Sequence, residues 1–107
     1  PPPIRKVERH ILEHLAEPLC LADLAAAANV TPSHLVRLFR QHQGTTPMRR
    51  LWELRARRGV DLLRDTGLSV SEVAYRVGCQ SPYHFSRLIR RHTGEPPTRL
   101  RERLWRG

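Results

Sequence analysis

Lysine is nearly missing from this chain: Lys6 stands alone among 19 basic residues, and the rest are arginine. Arginine's planar fork suits bidentate contact with phosphate and guanine, but a GC-rich coding sequence gives the same bias, so the preference carries little weight. Cysteine is scarce. Cys20 and Cys79 lie far apart with no C-x-x-C spacing, which argues against a disulfide framework or a cysteine zinc site and fits a reducing cytosol. No apolar run is long enough for a membrane helix, and no signal peptide is read. No segment alternates at period two, so there is no candidate strand.

What is present is positive charge. The 19 Lys+Arg outnumber 10 Asp+Glu, for a net charge of +9 over 107 residues. A chain of this size makes one domain with a modest core, and the balance favours a polyanionic partner. The charge is uneven. Residues 1–49 hold 6 cations and 4 anions, whereas residues 50–107 hold 13 and 6. The second half should carry more of the attraction. The opening Pro1-Pro2-Pro3 reads as the tail of a linker or a cut site, so the chain is expected to be one domain of a longer protein.

A paragraph of sequence is also written twice. Pro32, Arg37, Arg40, His42, Gly44 and Pro47 recur as Pro82, Arg87, Arg90, His92, Gly94 and Pro97, each 50 residues later. Upstream, Ala25 recurs as Ala74, an offset of 49, so the second copy holds one extra residue in its turn. Each copy orders a short helix, a tight turn and an arginine-bearing helix, the layout of a helix-turn-helix.

Apolar periodicity sets the helices. Ile4, Val7, Ile11, Leu12 and Leu15 predict a first helix over 4–16, stopped by Pro18. A second covers 21–28, with Leu21, Leu24, Ala25 and Ala28 inward, and Asn29 suits the left-handed turn after it. Thr31-Pro32 is a start signal, a hydroxyl cap before proline. It predicts a third helix to about His42, with Leu35, Leu38 and Phe39 inward. Thr46-Pro47 repeats the signal and opens a long helix over 47–66, in which Gly59 costs about 1 kcal/mol against alanine. Ser69 or Ser71 caps a fifth helix, whose Val70, Val73, Ala74 and Val77 face inward. Gly78 makes the turn, and Ser81-Pro82 opens a sixth helix packed through Phe85, Leu88 and Ile89. Pro96-Pro97 starts a last helix toward Trp105. The fold expected is all-α, about seven helices, with helix-turn-helix lobes at 21–42 and 70–92 joined by the linker helix 47–66.

These residues resemble the DNA-binding domain of the AraC/XylS family of bacterial transcription regulators. The resemblance spans about Ile4 to Arg101. It rests on LADLA, the SHLVRLF run, the Gly44-to-Pro47 turn, Arg55, Leu63, VSEVAYRVG, HFSRLIRRHTG and the closing prolines. Cys79, Ile89, Gly59, Arg50 and Leu100 depart from its pattern. They read as core or linker changes, with Trp52 and Trp105 available to refill the lost volume. The resemblance makes the third and sixth helices the recognition helices. It places Ser33, Val36 and Arg37, and Pro82, Tyr83, Ser86 and Arg87, against base edges. Chemistry agrees: arginine can pair with guanine O6 and N7, serine can donate or accept, and valine offers only apolar contact to a thymine methyl. Arg40, Arg90 and Arg91 lie further along, where phosphate contact is expected. A helix of roughly 20 residues is about 30 Å long, close to the ~34 Å between successive major-groove faces. One chain should therefore reach adjacent grooves, on an asymmetric site.

The function implied is sequence-specific binding of double-stranded DNA by a cytoplasmic, nucleoid-associated regulator. RNA polymerase is expected as a second partner, and an effector or dimerisation domain is expected outside this chain. The alternative is the DNA-binding module of a DNA-repair alkyltransferase fusion, although neither cysteine has a suitable motif around it. No enzyme activity, cofactor or metal is expected. His10-Ile11-Leu12-Glu13-His14 matches the H-x-x-E-H of inverted zinc peptidases. A solvated helix face explains it better, because no third ligand or cleft is available. Cys79 reads as a small core residue rather than a reactive thiol. His42 and His92 suit either phosphate or the helix C-terminal dipole.

Overall fold

The computed structural model describes residues 1–107 and contains seven α-helices and no strand. They are α1 (Pro2–Glu13), α2 (Leu21–Ala27), α3 (Pro32–Gln43), α4 (Pro47–Asp65), α5 (Val70–Arg76), α6 (Pro82–Thr93) and α7 (Pro97–Arg106). The chain divides into two compact units, Pro1–Leu54 and Arg55–Gly107.

In the first unit α1 packs on α2 and α3, and α2 packs on α3. Its core is Ile4, Val7, Ile11, Leu24, Ala25, Leu35, Phe39 and Leu51. Three sequence expectations are corrected in α1. It begins at Pro2 rather than Ile4, because the first turn of a helix needs no N–H and tolerates consecutive prolines. It ends at Glu13 rather than Ala16. Pro18 has no N–H to offer the carbonyl of His14, and the chain tightens into a Glu17 N–H to His14 O turn of 3.0 Å instead. Leu12, expected in the buried stripe, is 57% exposed. Ile11 of α1 and Leu15 in the turn after it are both buried and cover the core without Leu12. Leu38 is only half-buried. Glu8 accepts a hydrogen bond from Arg50 Nε at 2.6 Å and ties α1 to the start of α4. Arg50 thus fills its place with an ion pair rather than with volume.

In the second unit α5 packs on α6 and α6 on α7. Val73, Ala74, Val77, Cys79, Phe85, Ile89 and Leu100 are buried there with Ala56 and Leu63 of α4. Val70, expected inward, is half-buried, as is Leu62 of α4. Gly59 is buried against the ring of Phe85. Trp105 does not refill the core and is 57% exposed. Its indole N–H instead donates to the Arg64 carbonyl at 2.9 Å. Arg101 acts beside it. Its Nε donates to the Leu63 carbonyl at 2.9 Å and its Nη2 to the Thr66 carbonyl at 3.2 Å, with the guanidinium 4.8 Å from the Trp105 ring centre. Thr66 Oγ1 donates to the Leu62 carbonyl at 2.6 Å. Carbonyls left orphaned at the end of α4 are thus covered by α7, which acts as a clamp on that helix end.

The turns explain the extra residue of the second copy. Asn29 and Gly78 both adopt positive φ, 57° and 90°. After each, the next N–H reaches back five residues: Val30 to Ala25 O at 3.1 Å, and Cys79 to Ala74 O at 3.0 Å. The two turns are equivalent up to that point. The inserted residue is therefore Gln80, which is exposed and leaves the core register unchanged. Thr31 and Ser81 then cap α3 and α6 as expected, accepting from the N–H groups of His34 and His84 at 3.2 and 3.1 Å.

Candidate nucleic-acid interface

α3 and α6 each bury one side and expose the other. Leu35 and Phe39, and Phe85 and Ile89, are fully buried. On the opposite side Ser33, Arg37 and Arg40 of α3 are exposed, as are Tyr83, Arg87, Arg90 and Arg91 of α6. Val36, Pro82 and Ser86 are half-buried, at the edge of that side rather than at its centre. Ser86 is therefore less free than its spacing suggested.

Charge is arranged as well as exposed. α3 and α6 contain no Asp or Glu, even in the first turn, where the helix dipole favours acid. The other helix of each copy is different. In α2 the N–H of Cys20 donates to Asp23 at 2.8 Å. In α5 Ser69 and Glu72 exchange reciprocal hydrogen bonds of 3.0 and 3.1 Å, so Ser69 is the cap and not Ser71. These backbone hydrogen bonds hold the Asp23 and Glu72 carboxyls below the usual range. The carboxylates elsewhere neutralise Arg50, Arg64 and Arg103, through Glu8, Glu53, Asp61, Asp65 and Glu95. None of these ion pairs involves Arg37, Arg40, Arg87, Arg90 or Arg91. The exposed sides of α3 and α6 thus keep their full positive charge, while anions gather at caps and elsewhere. This absence of acid is legible in the sequence once the two copies are set side by side.

The copies are not equal. Arg91 has Gln41 at its place in α3, and Tyr83 has Ser33. Arg57 and Arg58, on the exposed side of α4, also lack a carboxylate partner and were not singled out by the repeat, which does not include them. His10 and His14 lie with ring centres 4.3 Å apart. His14 Nδ1 is already hydrogen-bonded to Glu17, and no group of three His, Cys, Asp or Glu side chains converges anywhere in the chain. His42 and His92 are both exposed near helix C-termini. Cys79 is buried, and burial pushes its thiol up to about 11 despite the nearby Arg55 guanidinium. A thiol held protonated is a poor nucleophile. Arg55 is itself buried, and no buried side-chain nitrogen or oxygen lacks a hydrogen bond.

A family model described as a helix-turn-helix domain matches residues 24–103. The chain belongs to the AraC/XylS family of helix-turn-helix DNA-binding domains. It is 31% identical to an AraC-type transcriptional regulator structure from Chromobacterium violaceum, with a TM-score of 0.90 over 96% of this chain and 92% of that one. It is 33% identical to the DNA-binding domain of AdpA, solved in complex with a target DNA, with a TM-score of 0.88 over 96% and 93%. Among curated relatives, the HTH-type transcriptional regulator GlxA of Rhizobium meliloti is 40% identical over 89 residues. That match takes in 83% of this AraC/XylS chain and 28% of the relative. The chain thus spans under a third of the curated relatives it matches.

Proposed function

We propose that this chain binds specific double-stranded DNA as the DNA-binding domain of a bacterial transcription regulator, inserting α3 and α6 into adjacent major grooves. The observation that carries the reading is the pair of acid-free helices whose exposed sides hold unpaired arginines in a chain of net charge +9. Ser33, Val36 and Arg37, with Pro82, Tyr83, Ser86 and Arg87, are proposed to meet base edges. Arg40, Arg90 and Arg91 are proposed to meet phosphates. Residues 21–42 and 70–92 serve as the two helix-turn-helix modules, and 47–66 as the linker. The 19 residues of α4 give about 28 Å of helix against the ~34 Å between groove faces. The AdpA domain, solved on its target DNA, supports the reading by likeness. The protein is placed in the cytoplasm, on the nucleoid, with RNA polymerase as a second partner. An effector or dimerisation domain is proposed outside this chain, consistent with the share of its relatives that it spans.

Selection of sites from random duplex DNA, followed by affinity measurement across salt, tests this. The selected site should bind at least a thousandfold more tightly than random duplex, the lower end of the usual ratio. Affinity should fall steeply with salt, because several phosphates release counterions. Equal affinity for random duplex, or a flat salt dependence, overturns the reading.

A further inference from the structure

Tyr83 is a large apolar side chain left 72% exposed, the most of any in the chain. It contributes nothing to the core. Its ring lies under the guanidinium of Arg87, 5.9 Å from ring centre to Cζ, one helical turn away on α6. Arg87 has no carboxylate partner, and this ring is the contact the structure gives it. A guanidinium resting on an aromatic face loses few rotamers when its fork then pairs with a base. The duplication supplies an internal comparison. At the matching place in α3 the residue four positions before Arg37 is Ser33, which has no ring to offer.

We infer that Tyr83 is a positioning residue that presets the Arg87 fork for guanine, making the second unit the stringent reader and leaving Arg37 of the first unit adaptable. The inference rests on the proposed recognition role of α6 and gives Tyr83 a specific task within it. The hydroxyl is not required; the ring face is. An adaptable arginine accepts more than one base arrangement at similar cost. A preset one is set for guanine and loses its stacking contact when it turns elsewhere.

The experiment measures binding to the selected site and to its single-base-pair variants. The base pair read by Arg87 is the one whose preference Arg87→Ala erases. At that pair Tyr83→Ser should lower discrimination roughly two- to fivefold, the range of an exposed cation–π contact. Tyr83→Phe should keep it. In the Arg87→Ala background Tyr83→Ser should change nothing at that pair. Conversely, Ser33→Tyr should sharpen discrimination at the pair read by Arg37. Circular dichroism should stay unchanged in all variants, since Ser33, Tyr83 and Arg87 are all exposed. Full discrimination in Tyr83→Ser, or its loss in Tyr83→Phe, overturns the inference while the reading of α6 stands. If Arg87→Ala erases no base preference, the recognition role of α6 falls and takes the inference with it.

Discussion

Replacing Gly59 by alanine sets two opposed effects against each other. Glycine inside a helix costs about 1 kcal/mol relative to alanine, and Gly59 lies within α4. Propensity alone therefore predicts that Gly59→Ala stabilises the protein. The packing predicts the reverse. A Cβ at Gly59 would lie 2.6 Å from Phe85 Cε1, 3.0 Å from Phe85 Cζ and 3.4 Å from Ile89 Cδ1. Both neighbours are fully buried, so the ring has no solvent to move into. Extra volume in a packed core typically costs about 1–3 kcal/mol. Set against the propensity gain, the balance is a loss of about 1 kcal/mol, or about 4 °C in Tm for a domain of this size. Thermal and urea unfolding followed by circular dichroism measure it. Phe85→Leu supplies the control: it should cost less in the Gly59→Ala background than in the wild type, because the two residues share one space. A Gly59→Ala protein more stable than wild type by about 1 kcal/mol would falsify the packing argument.

Three further outcomes are expected. Arg101→Ala should destabilise the protein by about 1.5–3 kcal/mol, since it strips charged donors from the carbonyls of Leu63 and Thr66; Arg101→Lys should recover only part of this, and unchanged urea midpoints would rule out the α7 clamp. The Cys79 thiol, raised by burial from 9.0 to about 11, favours the folded state while protonated, so its contribution is complete below 9.0 and is lost as pH rises toward 11. The difference in stability between wild type and Cys79→Val should therefore shift against the wild type over that alkaline range, and iodoacetamide should label exposed Cys20 but not Cys79 in the native protein. Arg87→Ala should cost about 1–3 kcal/mol on the selected site and relax one base pair, whereas Arg91→Ala should weaken selected and random duplex alike and lower the salt slope by about one contact; equal loss on all sequences from Arg87→Ala would reverse the assignment.

The number and order of the helices, and the buried sides of α3, α5 and α6, were readable from residues alone. Their causes are local: start signals that end in proline, residues at positive φ and apolar spacing, repeated 49 or 50 residues on. The candidate interface was legible for the same reason, since a duplicated arginine on the polar side of a helix is a pattern in the chain itself. Other features depend on partners distant in sequence and only the tertiary structure decided them. Leu12 fits the apolar spacing, yet its neighbours cover the core without it. Gly59 looked like a weak point of α4 until the Phe85 ring was found 26 residues away, occupying the place of the missing methyl. Trp105 was expected to refill lost volume and Arg101 had no expected contact, but both satisfy the carbonyls of another helix end roughly 40 residues earlier. The Arg87–Tyr83 contact lies between these cases: the spacing allowed it, and the side-chain geometry made it specific. Periodicity and caps depend on nearest neighbours along the chain and so are written in it. Packing volume and carbonyl capping depend on which surfaces meet, which folding alone determines.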